Sequence, residues 1–211
     1  MEICKLFEGI SKEELEKLMC CLSPVTRSFE KGEIVVMTGE NLSSVIIVKT
    51  GSLEGRKENA QGDSIIISRL AEGGVIGEAL CASGKPSPVT VFATEPCELM
   101  YIPFDRIMST CSCSCSHHRK LLLNLTRLLS QEYFSLHDRI SCLMLKSLRS
   151  KVWEYLLLCA KNSGSSTFEV PFDREDMASY LGCDRSALSR ELAKMKSAGL
   201  IDYHKNTFKI K

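Results

Sequence analysis

A chain of 211 residues with 44% hydrophobic content can bury one large core or two modest ones, and the change of pattern along it favours two. No apolar run approaches the length of a bilayer span, and the opening MEICKLFEGISKEELEKL is mixed in charge, so neither a membrane protein nor an exported one is expected. The eleven cysteines, an odd number without an export signal, read as thiols of a reducing compartment and predict a cytoplasmic location. The net charge of +1 is segregated: from Arg139 to Lys211 there are 13 Lys+Arg against 8 Asp+Glu, a net of +5, and the rest carries 14 against 18, a net of −4. A cationic C-terminal part suits phosphate at that end only.

In chain order, Leu6, Phe7, Ile10, Leu15, Leu18 and Met19, with SKEE as a capping box, predict one or two short packing helices. From Phe29 the pattern changes to short β-branched runs, SFEKGEIVVMTGE, SSVIIVKTGSLEGRKENAQGD, SIIISRLAEGGVIGEAL and SPVTVFATEPCELMYIP. Gly32, Gly39, Gly51, Gly62, Gly74 and Gly77 fall where strands must reverse, which predicts an antiparallel barrel or roll. Within it Gly77, Glu78, Ala79 and Leu80 are expected to make a tight segment whose exposed backbone N–H groups hold an anion or small polar ligand, or else a barrel corner with Glu78 solvated.

The period turns helical from Asp105. CSCSCSHH, with Cys111, Cys113, Cys115, His117 and His118, holds thiol and imidazole ligands suited to zinc, copper or iron–sulfur chemistry, but lacks a C-x2-C knuckle. Small buried thiols at a helix start are the plainer reading. Leu122, Leu125, Leu129, Tyr133, Leu136, Ile140 and Leu143 then advance in steps of three and four, predicting a long helix over residues 116–140. Such a stripe seeks a second helix, either its own copy in a two-fold dimer or the chain's own roll. Residues 137–141 are expected to form the joint to the C-terminal part.

KSLRSKVWEYLLLCAKNSGSS predicts an amphipathic helix with Trp153 and Leu156 in the core, and TFEVPF a short strand. In residues 173–200, DREDMASYLGCDRSALSRELAKMKSAGL, Asp173 can cap a first helix with Met177, Ala178 and Leu181 inward; Gly182 ends it, and Asp184 can cap a second. Leu188, Leu192 and Met195 line the inner face of that second helix. Its outer face carries Arg185, Ser186, Ser189, Arg190 and Lys194, so the pair reads as a helix-turn-helix whose second helix fits the major groove of DNA. The closing LIDYHKNTFKI reads as a hairpin or wing with His204, Lys205 and Asn206 at its tip.

The glycine-punctuated roll, GVIGEAL, the leucine-rich helix and GCDRSALSREL, in that order and over nearly the whole chain, resemble the CRP/FNR superfamily of bacterial transcription regulators. The resemblance implies an α+β chain in three parts. Residues 1–115 would be an effector-sensing, cyclic-nucleotide-binding-like antiparallel β roll with N-terminal helices, 116–140 a long dimerisation helix, and 141–211 a winged helix-turn-helix. It further implies a homodimer on double-stranded DNA, with RNA polymerase as a further partner, no membrane and no catalysis. The family's reading positions fall on Arg185, Ser186, Ser189 and Arg190, with Ser186 where a carboxylate is usual, and Lys194, His204, Lys205 and Asn206 are expected to meet phosphate. The effector site would combine Gly77, Glu78, Ala79, Leu80, Ser87 and Pro88 with Tyr133 and Leu136. Ser87 and Pro88 stand where cyclic-AMP-binding relatives carry an Arg–Ser or Arg–Thr pair, so the small effector is expected not to be cyclic AMP; its identity and any cofactor stay open. A metal or thiol sensor built on Cys111, Cys113 and Cys115 is the alternative.

Overall fold

The computed structural model describes residues 4–58, 64–109 and 116–211. Two compact units divide between Gln131 and Glu132. The first opens with a 3-10 turn, Lys5–Phe7, and α1, Lys12–Leu22, whose capping box forms as expected: the Ser11 N–H donates to Glu14 Oε2 at 2.8 Å and the Glu14 N–H to Ser11 Oγ at 3.3 Å. Strands β1 Val25–Phe29, β2 Ile34–Val36, β3 Ser44–Thr50, β4 Leu53–Glu58, β5 Ser64–Leu70 and β6 Val75–Ile76 follow. Then come α2 Glu78–Ser83, β7 Thr90–Ala93, β8 Cys97–Pro103, α3 Phe104–Met108 and α4 Ser116–Met144.

The strands form two antiparallel four-stranded sheets, ordered β1-β8-β3-β6 and β2-β7-β4-β5, which is the expected roll. Because successive strand residues face opposite ways, β3 serves two cores at once. Ile46 and Val48 join Leu99, Val36, Leu53 and Val91, while Val45 and Ile47 join Met100, Ile102 and the helical residues Leu18, Ile107, Leu121 and Leu125. Burial on both faces explains why SVIIV is an unbroken apolar run rather than an alternating one. Gly62 lies outside the described residues.

The stripe on α4 divides. Leu121 and Leu125 are buried, and Leu122 and Leu129 pack on the same roll core, whereas Tyr133, Leu136 and Ile140 are exposed. Of the two predicted partners, the roll therefore takes the first half and leaves the second uncovered in the protomer. The helix also outruns its expected end at residue 140: residues 137–141 are not a joint, because α4 continues to Met144 and Cys142 is buried in the core of the second unit. Ser147 starts the next helix by accepting the Ser150 N–H at 3.0 Å.

The second unit contains α5 Leu148–Ser163, β9 Thr167–Glu169, α6 Arg174–Leu181, α7 Arg185–Ser197, β10 Ile201–His204 and β11 Thr207–Ile210. Its sheet, ordered β10-β11-β9, is antiparallel, with Tyr203 opposite Phe208 and Phe208 opposite Phe168. The core gathers Val152, Leu156, Phe168, Met177, Leu181, Leu188, Leu192, Met195 and Phe208. Trp153, expected inside, is half-buried, and Tyr155 two residues on takes the deeper place.

Candidate nucleic-acid interface

The turn between α6 and α7 is built from local chemistry. Asp173 Oδ1 accepts the N–H groups of Glu175 and Asp176, each at 2.8 Å, and so satisfies two donors left without partners by the first helical turn. At the other end Gly182 takes φ +63°, while the N–H groups of Gly182 and Cys183 donate to the carbonyls of Ser179 and Ala178. A Cβ at Gly182 would stand 3.1 Å from Leu143 Cδ2, so a side chain here would strain the left-handed backbone and also press on that leucine. Asp184 occupies the N-cap of α7 with extended backbone, but its side chain makes no capping bond, contrary to expectation. The residue is exposed, where water can serve the same N–H groups.

Leu188, Leu192 and Met195 bury one face of α7, each removal from water contributing roughly 1.5 to 3 kcal/mol. With that face fixed in the core, helical geometry turns Arg185, Ser186, Ser189, Arg190 and Lys194 outward, and all five are exposed. Thirteen residues make a rod about 20 Å long and 10 to 12 Å across, a match for a major groove about 12 Å wide. Arg190 Nε donates to the Ser186 carbonyl at 3.3 Å.

Two ion pairs not foreseen from the sequence fix α7 at its flanks. Arg149 Nε meets Glu191 Oε1 at 2.7 Å, and Lys196 Nζ meets Asp202 Oδ1 at 2.6 Å. A third unforeseen residue, Arg139 on α4, donates to the Tyr180 and Ser179 carbonyls at the end of α6, at 3.4 and 3.5 Å, and lies 5.1 Å from the Tyr180 ring centre. No short motif announces these residues. They are joined only by tertiary contact.

At the wing tip His204 and Lys205 are exposed and Asn206 is half-buried, its carbonyl accepting the Val170 N–H at 2.8 Å. The three share a cleft of ≈ 610 Å³ with Arg185, Arg174 and Glu169. Thus Arg185 and the wing tip converge on one concavity, while Ser186, Ser189, Arg190 and Lys194 continue along the helix.

The roll segment behaves differently. Gly77, at φ +90°, caps α2, and the Cys81 N–H donates back to its carbonyl at 2.8 Å, so the segment is the first turn of a helix that starts without a side-chain cap bond. Glu78 is buried rather than solvated, Leu80 is half-buried, and Ala79 and Pro88 are exposed. Ser87 is buried and committed: its Oγ donates to the Val89 carbonyl at 2.7 Å, its N–H to the Glu40 carbonyl at 2.8 Å, and its own carbonyl accepts from Gly39 at 2.8 Å. Tyr133 and Leu136 are 64% and 59% exposed on α4.

Cys111, Cys113 and Cys115 lie outside the described residues. His117 Nδ1 stands 2.9 Å from Glu14 Oε1, and buried His118 places Nε2 2.6 Å from the Ile107 carbonyl. Among the described residues no three His, Cys, Asp or Glu side chains are grouped to hold a metal. Burial pushes the Cys81 thiol up to about 11, helped by Glu78, and raises Cys142, Cys159 and Cys183 as well, which starves these sulfurs of reactive thiolate. Among the described residues, too, no helix is long and apolar enough to cross a membrane.

Comparison with known proteins agrees with this division of labour. Residues 26–112 match the cyclic nucleotide-binding domain, and residues 150–211 the Crp-like helix-turn-helix domain. The chain belongs to the CRP/FNR superfamily. Among curated superfamily members, Electron transport regulator A of Shewanella oneidensis is 25% identical over 183 residues, covering 83% of this chain and 70% of the relative. Transcriptional activator protein FnrA of Stutzerimonas stutzeri is 24% identical over 184 residues, covering 83% and 72%. The solved structure of the c-di-GMP responsive global regulator CLP of Xanthomonas campestris shares the fold, with a TM-score of 0.60 at 19% identity over 93% of this chain and 97% of that one. As a CRP/FNR-type transcription regulator, the protein carries α7 within its Crp-like helix-turn-helix domain.

Proposed function

We propose that this regulator is a homodimer, not an enzyme, that reads a specific duplex sequence in the cytoplasm through α7 and answers to a small effector other than cyclic AMP held by the roll. The observation that carries the reading is the orientation of α7: every apolar side chain at the inner positions is buried and every donor or cation at the outer positions is exposed. Arg185 and Arg190 are assigned to guanine O6 and N7, and Ser186 and Ser189 to permissive hydroxyl contacts. Lys194, His204, Lys205 and Asn206 are assigned to phosphate. RNA polymerase is the partner through which such binding would act on transcription.

Dimerisation rests on the uncovered part of α4, where Tyr133, Leu136 and Ile140 stay exposed at helical spacing after the preceding turns have been buried. For the effector, Gly77, Glu78, Ala79, Leu80, Ser87, Pro88 and the α4 residues Tyr133 and Leu136 remain the assigned set, and the case against cyclic AMP rests on Ser87. A serine whose hydroxyl is spent on Val89 supplies no counter-charge for a cyclic phosphate. The deciding experiment is selection of bound sequences from random duplex DNA, repeated with candidate small molecules including cyclic AMP. Enrichment of a two-fold symmetric site supports the reading; an unenriched pool overturns it. Ile140→Asp should convert the dimer to monomer in sedimentation, since it replaces a side chain whose burial contributes roughly 1.5 to 3 kcal/mol in each copy.

A further inference from the structure

Lys205 is one of two non-glycine residues with positive φ among those described, at +50°, in the wing turn that carries the phosphate-facing tip. A lysine in that region is held there by something other than its own preference. The two-residue loop closed by the His204–Thr207 pair calls for that backbone, and Arg174, the first residue of α6, braces it from outside the hairpin. Its Nη2 donates to the Lys205 carbonyl, and its guanidinium lies 5.0 Å from the Phe208 ring centre and 5.5 Å from that of Tyr203, the residue pair that forms the rung of the wing hairpin. One nitrogen of the guanidinium thus reaches the turn while the group lies against the wing's two rings, and its other terminal nitrogen, Nη1, is buried without a hydrogen-bond partner. Because Asp173 caps α6 immediately before it, the arginine is anchored at the base of the helix-turn-helix. A second tie, Val170 N–H to the Asn206 carbonyl at 2.8 Å, holds the other side of the tip.

We infer that Arg174 is a positioning residue that sets where Lys205 stands relative to Arg185 across their shared cleft, and so fixes the wing's grip on the DNA backbone against the register of the reading helix. This rests on the DNA-binding reading above. Arg174 acts through the wing: its work is done on the Lys205 turn.

The test is a double-mutant cycle of Arg174→Ala and Lys205→Ala in the full chain, measured as affinity for the selected duplex across a salt series. Each single variant should weaken binding by about tenfold and lower the salt slope by about one. If Arg174 works by placing Lys205, the double variant should bind no worse than the weaker single one; losses multiplying to about a hundredfold would overturn the inference in favour of an independent phosphate contact. Hydrogen exchange at the Val170 amide should quicken in Arg174→Ala while amides in α7 stay unchanged, and unchanged exchange at Val170 would also overturn it. Arg174→Lys, which keeps the charge on a differently shaped head, should recover affinity only where it also restores slow exchange at the Val170 amide; affinity recovered without that protection would overturn positioning. Wild-type protein with no affinity for any duplex would instead strike the underlying DNA-binding reading, a result separate from any of these.

Discussion

The outer face of α7 and the roll segment around Ser87 are both rich in polar groups, yet they differ in what those groups are doing. On α7 Arg185, Ser186, Ser189 and Lys194 are exposed, and their side chains make none of the hydrogen bonds described within the unit. In the roll, Ser87 has given its hydroxyl, N–H and carbonyl to Val89, Glu40 and Gly39. A polar side chain spent on the fold contributes stability, and one left over is available for a partner; residue type alone does not distinguish them.

The contrast can be broken by substitution in both places. The largest effect is expected from Arg185→Ala and Arg190→Ala, each losing about 1 to 3 kcal/mol of base discrimination in duplex competition, with little change in melting temperature. Identical losses on selected and random duplex would show that the arginines only neutralise phosphate. Ser87→Ala should reverse the pattern, costing about 1 kcal/mol of folding stability in chemical denaturation while operator affinity without effector stays within twofold of wild type. A stable Ser87→Ala protein with altered operator affinity would erase the distinction. Asp173→Ala belongs with the committed group and should cost about 1 kcal/mol through its two lost capping bonds.

The smallest effect belongs to Glu14, which is committed but solvent-screened. The Ser11 N–H, with Lys120 and His117, holds its carboxyl at about 2 against an ordinary 4.5. Its contribution is therefore complete above pH 4.5 and is lost as the pH falls through about 2. A Glu14→Gln variant should melt slightly below wild type at neutral pH and converge on it in strong acid; a deficit that persists there would place the effect elsewhere.

Sequence pattern carried the elements whose causes are local. Asp173 and Gly182 announce the turn because a cap and a left-handed residue are needed within a few positions of each other, and Ser11 with Glu14 announces α1 in the same way. The inner and outer faces of α7 follow from a 3.6-residue period. What the pattern could not carry was choice among partners. One stripe on α4 meets the roll at Leu125 and solvent at Ile140, although the spacing does not change between them. Likewise Arg139, Arg149 and Arg174 look alike on paper as surface cations, and only contacts 31 to 42 residues distant along the chain reveal that they brace the reading unit. Asp184 shows the converse, a residue of the right type at an N-cap that the fold leaves without its bond.

Gly182 bears on more than the bend it permits. Leu143, partly exposed on α4, brings its Cδ2 to 3.1 Å from where a side chain on Gly182 would begin, so the tail of that helix touches the helix-turn-helix at its bend. Any larger residue at the bend would therefore push on the tail of α4 as well as strain its own backbone, so one position answers to two helices.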